Sequence, residues 1–182
     1  MNTTVQPIRS KRDRAKMKAA LHGRNRLLFV MGISLGLRIT DLLQLKIGDV
    51  RGKDRLHIKE KKTGKSKTIY FSPSLKRELA KLEGPDDEYV FKSRKGKNKP
   101  ISRQMAYIIL NEAAERAGIK DKIGKIGCHS LRKTHGWILY EEQGVDITRI
   151  MTMLNHSTPQ HTLRYIGVTE SEIKEAYEAI EV

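Results

Sequence analysis

The chain of 182 residues carries 36 Lys and Arg against 21 Asp and Glu, a formal net charge of +15 with a pI of about 10.0. Hydrophobic residues at 38% suffice for a core and exclude wholesale disorder, and a single cysteine, Cys128, excludes an intramolecular disulfide framework and a cysteine-rich zinc site. The longest apolar stretch, Leu27 to Leu37, is interrupted by Gly32, Ser34 and Gly36, short of the ~18 residues of a membrane span, and the first residues lack the apolar core of a secretory signal. A cytoplasmic protein with a polyanionic partner, nucleic acid first, is the expectation.

The basic run Arg9, Lys11, Arg12, Arg14, Lys16 and Lys18 reads as an arm or first helix within residues 1–20. Arg26 to Leu35 is apolar almost all round, a buried helix. Gly36 and Arg38 form a short turn, and Thr40 or Asp41 is placed to cap a helix carrying Leu42, Leu43 and Leu45. Leu56 and Ile58, then Ile69 and Phe71, alternate with polar residues around Lys61-Lys62-Thr63-Gly64-Lys65, so Arg55 to Phe71 is expected to be a β-hairpin with a basic tip. Pro73 starts an amphipathic helix with Leu75, Leu79 and Leu82, ended by Gly84. Lys92 to Lys99 is a loop, and short strands flanking it would make the sheet three-stranded. From Ser102 onward the pattern is helical. Met105, Ile108, Ile109 and Ala113 give one stripe, stopped at Gly118; Ile147, Ile150, Met151 and Leu154 give a second, capped by Asp146. Ile173, Ala176, Tyr177 and Ile180 give the last, a tail helix within 169–182, with Thr169 and Glu172 spaced as a capping box. The expected class is α+β: mostly helical, with a small antiparallel sheet.

Four short segments carry chemistry. In His129-Ser130-Leu131-Arg132, helical spacing puts His129, Arg132, Lys133 and Gly136 on one face, with Leu131, Thr134 and Ile138 opposite to grip the core. Gly36-Leu37-Arg38-Ile39-Thr40-Asp41 sets an arginine between two helices in an apolar neighbourhood; it needs a counter-charge, and Asp41 is the expected partner. Leu154-Asn155-His156-Ser157 sets a histidine just past an amphipathic helix, and Tyr165 follows nine residues later. Taken singly, each has an ordinary reading: a surface histidine, a structural ion pair, a helix cap, a core aromatic.

Together and in this order they resemble the catalytic domain of the tyrosine recombinase (phage integrase) family. That pattern runs from an Arg in G-x-R-x-x-E/D, through a hairpin Lys and H-x-x-R, to a His in L-G-H-S and a Tyr about nine residues beyond. The resemblance covers about Arg24 to Gly167 and implies catalytic roles for Arg38, Lys62, His129, Arg132, His156 and Tyr165, with Asp41 in support. Lys59, Lys61, Lys65 and Lys67 crowd the same hairpin and compete with Lys62. Asn155 stands where the family usually has Gly, and Asn tolerates a left-handed backbone. The family's separate helical DNA-binding domain has no room here, so one catalytic domain over 1–182 is expected, either excised from a longer protein or naturally short.

The implied reaction is transfer of a DNA phosphoryl group to a protein hydroxyl and back. Arg38 and Arg132 would bind non-bridging oxygens in fork geometry as charge grows on them, with neither metal nor nucleotide cofactor. Tyr165 would attack with help from His129, Lys62 would protonate the 5′ oxygen, and His156 would bond a phosphate oxygen. The implied partners are double-stranded DNA bearing specific recombination sites, accessory DNA-bending proteins, and further copies of the chain. It would be a monomer in solution and a homotetramer on paired sites, with the tail helix docked on a neighbour; no membrane is involved. A type IB topoisomerase shares this chemistry, and a non-catalytic DNA-binding regulator could keep the motifs by descent.

Overall fold

The computed structural model describes residues 5–127 and 129–180, apart from the side chains of Glu170 and Ala176; Cys128 lies outside the described residues. Helices α1 (Lys11–Ala19), α2 (Gly23–Leu35), α3 (Ile39–Leu42) and α4 (Ile47–Val50) precede strands β1 (Arg55–Lys59) and β2 (Ser66–Tyr70). Then follow α5 (Pro73–Leu79), α6 (Arg103–Arg116), α7 (Lys120–Ile123), α8 (Ser130–Trp137), α9 (Ile147–Met153), α10 (Pro159–Ile166) and α11 (Glu170–Glu178). The α+β expectation holds, with a small antiparallel sheet in a mostly helical chain.

The hairpin forms where alternation put it, with Arg55 opposite Tyr70 and Lys59 opposite Ser66. Among the described residues it has no third strand. The segment after α5 pairs elsewhere: Val90 N donates to Leu45 O (2.9 Å) and Ile47 N to Glu88 O (2.8 Å), while Ile101 N and Ser93 N fold back on Phe91 O and Lys99 O. Its extended backbone is therefore spent on the α3–α4 connector and on itself, leaving only the isolated bridges Lys46–Tyr89 and Lys92–Pro100.

Two apolar clusters organise the helices. The larger runs from Ile8 through Leu28, Met31 and Leu42 to Phe91, Leu110 and Leu131. The smaller joins Ile150, Leu154 and Ile166, with Tyr165 and Val168 packed against it. Helix α8 touches both and is approached very closely. A Cβ at Gly136 would lie 2.6 Å from Ile166 Cγ2, so only glycine lets α10 this near. Gly36 ends α2 in the left-handed region (φ 57°) with the His135 ring against it. That ring donates from Nδ1 to Ile33 O at 2.7 Å, and burial lowers its pKa to about 4. After Trp137 the helix widens: Gln143 N reaches back five residues to Ile138 O (3.1 Å).

The stripe expected on α6 is offset. Ala106, Ile109, Leu110 and Ala113 face inward while Met105 and Ile108 stand exposed, because alanines let the helix lie flat on the core. The capping box of α11 forms as spaced, and Asp146 caps α9. Neither Thr40 nor Asp41 caps α3; Arg38 occupies that position, since the Asp41 carboxylate accepts from Lys61 N (3.2 Å).

Ile8 and Arg9 form a strap along α8. Ile8 N donates to Thr134 Oγ1 at 2.8 Å. The Arg9 guanidinium lies 4.0 Å from the Trp137 ring centre, binds Glu172 Oε1 at 2.7 Å and donates to Gly167 O.

Candidate active site

One cleft of about 240 Å³ is lined by Arg38, Lys62, His129, Arg132, His156 and Tyr165, with Lys65, Asn155 and His161 completing its wall. The fold thus brings together the six side chains that the resemblance singles out, from the α2–α3 turn, the hairpin tip, the start of α8, the turn after α9, and α10.

Arg132 is the least exposed of them, at 2%. Its Nη1 donates to Gly36 O and its Nη2 to Leu154 O, both at 2.6 Å, so it ties the end of α2 to the end of α9. The Arg132 side of α8, opposite the face that grips the core, is covered too: Lys133 is buried, its Nζ 5.2 Å from the Tyr165 ring centre. Covering that face costs less than it would for free cations, because the guanidinium keeps two charge-assisted bonds.

Arg38 does not pair with Asp41. Its guanidinium meets Glu60, a fully buried carboxylate at the end of β1. Lys67 Nζ lies 3.2 Å from Glu60 Oε1, Arg132 Nη1 lies 3.7 Å from it, Asn155 Nδ2 donates to Oε2 at 2.9 Å and the Thr63 hydroxyl at 3.0 Å. Burial would raise the pKa of Glu60, but the bonds from Asn155 and Arg38 and the Lys67 charge overcome it and hold the pKa at about 2. Sequence reasoning missed this group. The signal was present: Leu56, Ile58 and Glu60 share one side of a period-2 strand, as do Lys67, Ile69 and Phe71 on its partner.

The same geometry separates the lysines. Lys67 faces inward, bound to Glu60 and to Met153 O (3.1 Å). Lys62 stands at the exposed tip, in the cleft wall, with no hydrogen bond or ion pair among the described residues.

Tyr165 Oη lies 3.3 Å from His129 Nδ1. Burial raises the Tyr165 pKa, while Arg132 and Arg38 pull against that rise. Burial, then Arg132, Lys133 and Arg38, shift the His129 pKa down, which favours the neutral imidazole, the form that can accept a proton. His156 follows Asn155, whose φ of 52° is the left-handed turn the family's Gly would make. Its Nδ1 lies 3.1 Å from Thr162 Oγ1, its ring 4.8 Å from that of Tyr165, and the His161 ring stacks on it at 4.6 Å. Burial, then His161 and Arg132, lower its pKa to about 4. His161 carried no signal in the sequence beyond its neighbourhood.

An anion entering this cleft would meet two guanidiniums and a lysine beside a phenol that has an imidazole at hand. The sequence model of the Phage integrase family matches residues 11–172. The chain is 42% identical over 178 residues to the probable integrase/recombinase YoeC of Bacillus subtilis, covering 95% of each. It is 32% identical over 160 residues to the tyrosine recombinase XerA of Pyrococcus furiosus, covering 85% of this chain and 54% of that one, about half its length. Among solved structures, a crystal structure of XerA recombinase superposes with a TM-score of 0.74 at 19% identity, over 100% of this chain and 67% of the other. A lambda integrase tetramer bound to a Holliday junction gives 0.70 at 17% identity, over 91% and 49%.

Proposed function

Since the chain belongs to the phage integrase family, whose members include tyrosine recombinases, we propose that it cleaves and rejoins DNA strands at specific sites through a 3′-phosphotyrosyl intermediate. The observation that carries this reading is the meeting of Tyr165 Oη, His129 Nδ1 and the Arg38–Arg132 pair in one cleft.

Tyr165 Oη attacks the scissile phosphorus, and its proton passes to His129. The bond from phosphorus to the 5′ oxygen breaks, and Lys62 gives that oxygen a proton. Arg38 and Arg132 bind the non-bridging oxygens, where charge accumulates. An Arg has five N–H groups, and Arg132 uses two on carbonyls, which leaves three without a carbonyl partner. His156 bonds a phosphate oxygen through Nε2. Asp41 supports the hairpin tip through Lys61 N rather than Arg38 directly. The new ester keeps the energy of the old one, so no ATP is called for; Arg38 and Arg132 supply the charge stabilisation, and rejoining is the same step in reverse.

Double-stranded DNA is the partner, and the net charge of +15 supplies contacts indifferent to sequence. We read residues 1–182 as one catalytic unit, monomeric when free and tetrameric on paired sites, acting in the cytoplasm with DNA-bending accessories. The tail supports the tetramer: Ile173 and Tyr177 of α11 and Ile180 just past it stand 47%, 74% and 66% exposed, an apolar stripe left open. Among the described residues no helix is long and apolar enough to cross a membrane.

A suicide DNA substrate bearing candidate sites tests the reading. The native chain should form a covalent adduct, and Tyr165→Phe, which keeps the ring, should bind the DNA and form none. An adduct with the Phe variant would move the nucleophile elsewhere, with Tyr140 and Tyr177 next to examine.

A further inference from the structure

We propose that Glu60 is a positioning residue for DNA cleavage: its buried carboxylate aligns Arg38, the Lys62 hairpin tip and the His156 turn as one unit. This inference rests on the active-site reading above and deepens it.

Glu60 is fully buried, yet it lies outside the apolar clusters. Four elements converge on its two oxygens. Arg38 arrives from the α2–α3 turn, Lys67 from β2, the Thr63 hydroxyl from the hairpin tip and the Asn155 amide from the turn after α9. Three of these are immediate neighbours of the reacting groups or are such groups themselves. Thr63 follows Lys62, Asn155 precedes His156, and Arg38 lines the cleft itself. Glu60 also closes the tip through its backbone, with Glu60 N to Lys65 O at 3.0 Å and Gly64 N to Glu60 O at 2.9 Å. One carboxylate thus fixes the mutual spacing of the general acid, a phosphate-binding arginine and the second histidine.

The charge balance points the same way. Arg38, Arg132 and Lys67 put three positive charges around Glu60, and its one negative charge leaves +2. A phosphodiester carries −1 in the ground state and about −2 as it becomes five-coordinate. The cluster therefore matches the reacting phosphate better than the resting one. Without Glu60 the same cluster at +3 would hold resting DNA at least as firmly while its members repelled one another out of alignment. Glu60 never touches the reacting atoms on this account; it acts through groups that do.

The test separates alignment from simple folding. Glu60→Gln keeps the length and removes the charge, and Glu60→Asp keeps the charge and shortens the reach by one methylene. Both are measured on a suicide substrate, at saturating DNA, for single-turnover adduct formation, with DNA affinity and thermal melting in parallel. Glu60→Gln should cleave slower by on the order of 10²-fold, as a misplacement of about 1 Å can cause, with affinity equal to or tighter than the native chain. Glu60→Asp should fall between the two in rate, again without weaker binding. Native-like rates in both variants overturn the proposal. So does a loss of affinity in step with the rate, which marks Glu60 as a folding contact alone. Should Glu60→Gln fail to fold, Glu60→Asp decides by the same split. The native chain and Tyr165→Phe run alongside: if the native chain forms no adduct, the active-site reading fails, whereas a reactive native chain with equally reactive Glu60 variants sinks only the role of Glu60.

Discussion

Replacing Arg132 with Lys keeps a positive charge at the same place and removes the fork, so the outcome reveals what the fork does. In the structure Arg132 Nη1 and Nη2 serve Gly36 O and Leu154 O, both at 2.6 Å, from a site 2% exposed. One ammonium cannot span both carbonyls in that fixed geometry, so at least one is left buried without a donor. That loss costs about 1–3 kcal/mol, and for a chain of this size each kcal/mol moves Tm by about 2–4 °C. Arg132→Lys should therefore melt about 2–12 °C lower. Chemistry should suffer more than stability, because a bidentate donor to the charging phosphate is lost as well, worth on the order of 10²–10³ in rate. Differential scanning calorimetry reads the first effect. Single-turnover adduct formation, run well below the lowered Tm, reads the second. An unchanged Tm would show that the two carbonyl links hold nothing together. A rate within roughly threefold of native would show that planar recognition is not needed there.

Gly136→Ala should push α10 away from α8, since the new Cβ would sit 2.6 Å from Ile166 Cγ2. It should cost about 1–3 kcal/mol in urea titrations and slow adduct formation, because Tyr165 adjoins Ile166; Ile166→Ala in the same chain should recover part of the rate. Stability should fall as pH drops from about 6.5 toward 4, read by urea midpoints. His135 and His156 have folded pKa values lowered to about 4, so the unfolded chain binds more protons in that window. Glu60, held at about 2, is ionised in the folded chain there and loses its own stabilising effect at lower pH, so a midpoint constant from 6.5 to 4 would contradict the burial of both histidines. Ending the chain after Val168 should weaken DNA-dependent assembly, measured by sedimentation on paired sites, more than it lowers Tm; an unfolded product, or assembly equal to the full chain, would make α11 part of the core.

The residues that share the cleft were legible through their resemblance to the family pattern, which rests on polar residues at fixed intervals, and interval survives in a linear string. His129 with Arg132, and His156 with Tyr165, are each close in sequence and need only a helix or a short turn to meet. The hairpin was legible through its alternation. What stayed hidden depended on which side of that hairpin is covered. Glu60 sits among Lys59, Lys61 and Lys62 and reads as one more solvated charge; only the packing of β1 against the α2–α3 turn makes it a buried counter-ion. Asp41 was therefore matched to the wrong cation, being nearer in sequence while Glu60 is nearer in space. The third strand failed for a similar reason: extended backbone at Val90 found Leu45 before it found the sheet. The offset on α6 came from counting large side chains, whereas Ala106, Ala113 and Ala114 decide how that helix lies.

The strap along α8 closes the chain like a clasp. Arg9 holds Glu172 on one side and the carbonyl of Gly167 on the other, and Gly167 lies two residues past Tyr165. Arg9 and Glu172 thus fasten to each other beside the end of α10, the helix that carries Tyr165, with Trp137 of α8 as the backing plate. Lifting α11 away would therefore break the Arg9–Glu172 bond and leave the guanidinium with the Gly167 carbonyl alone, two residues past Tyr165.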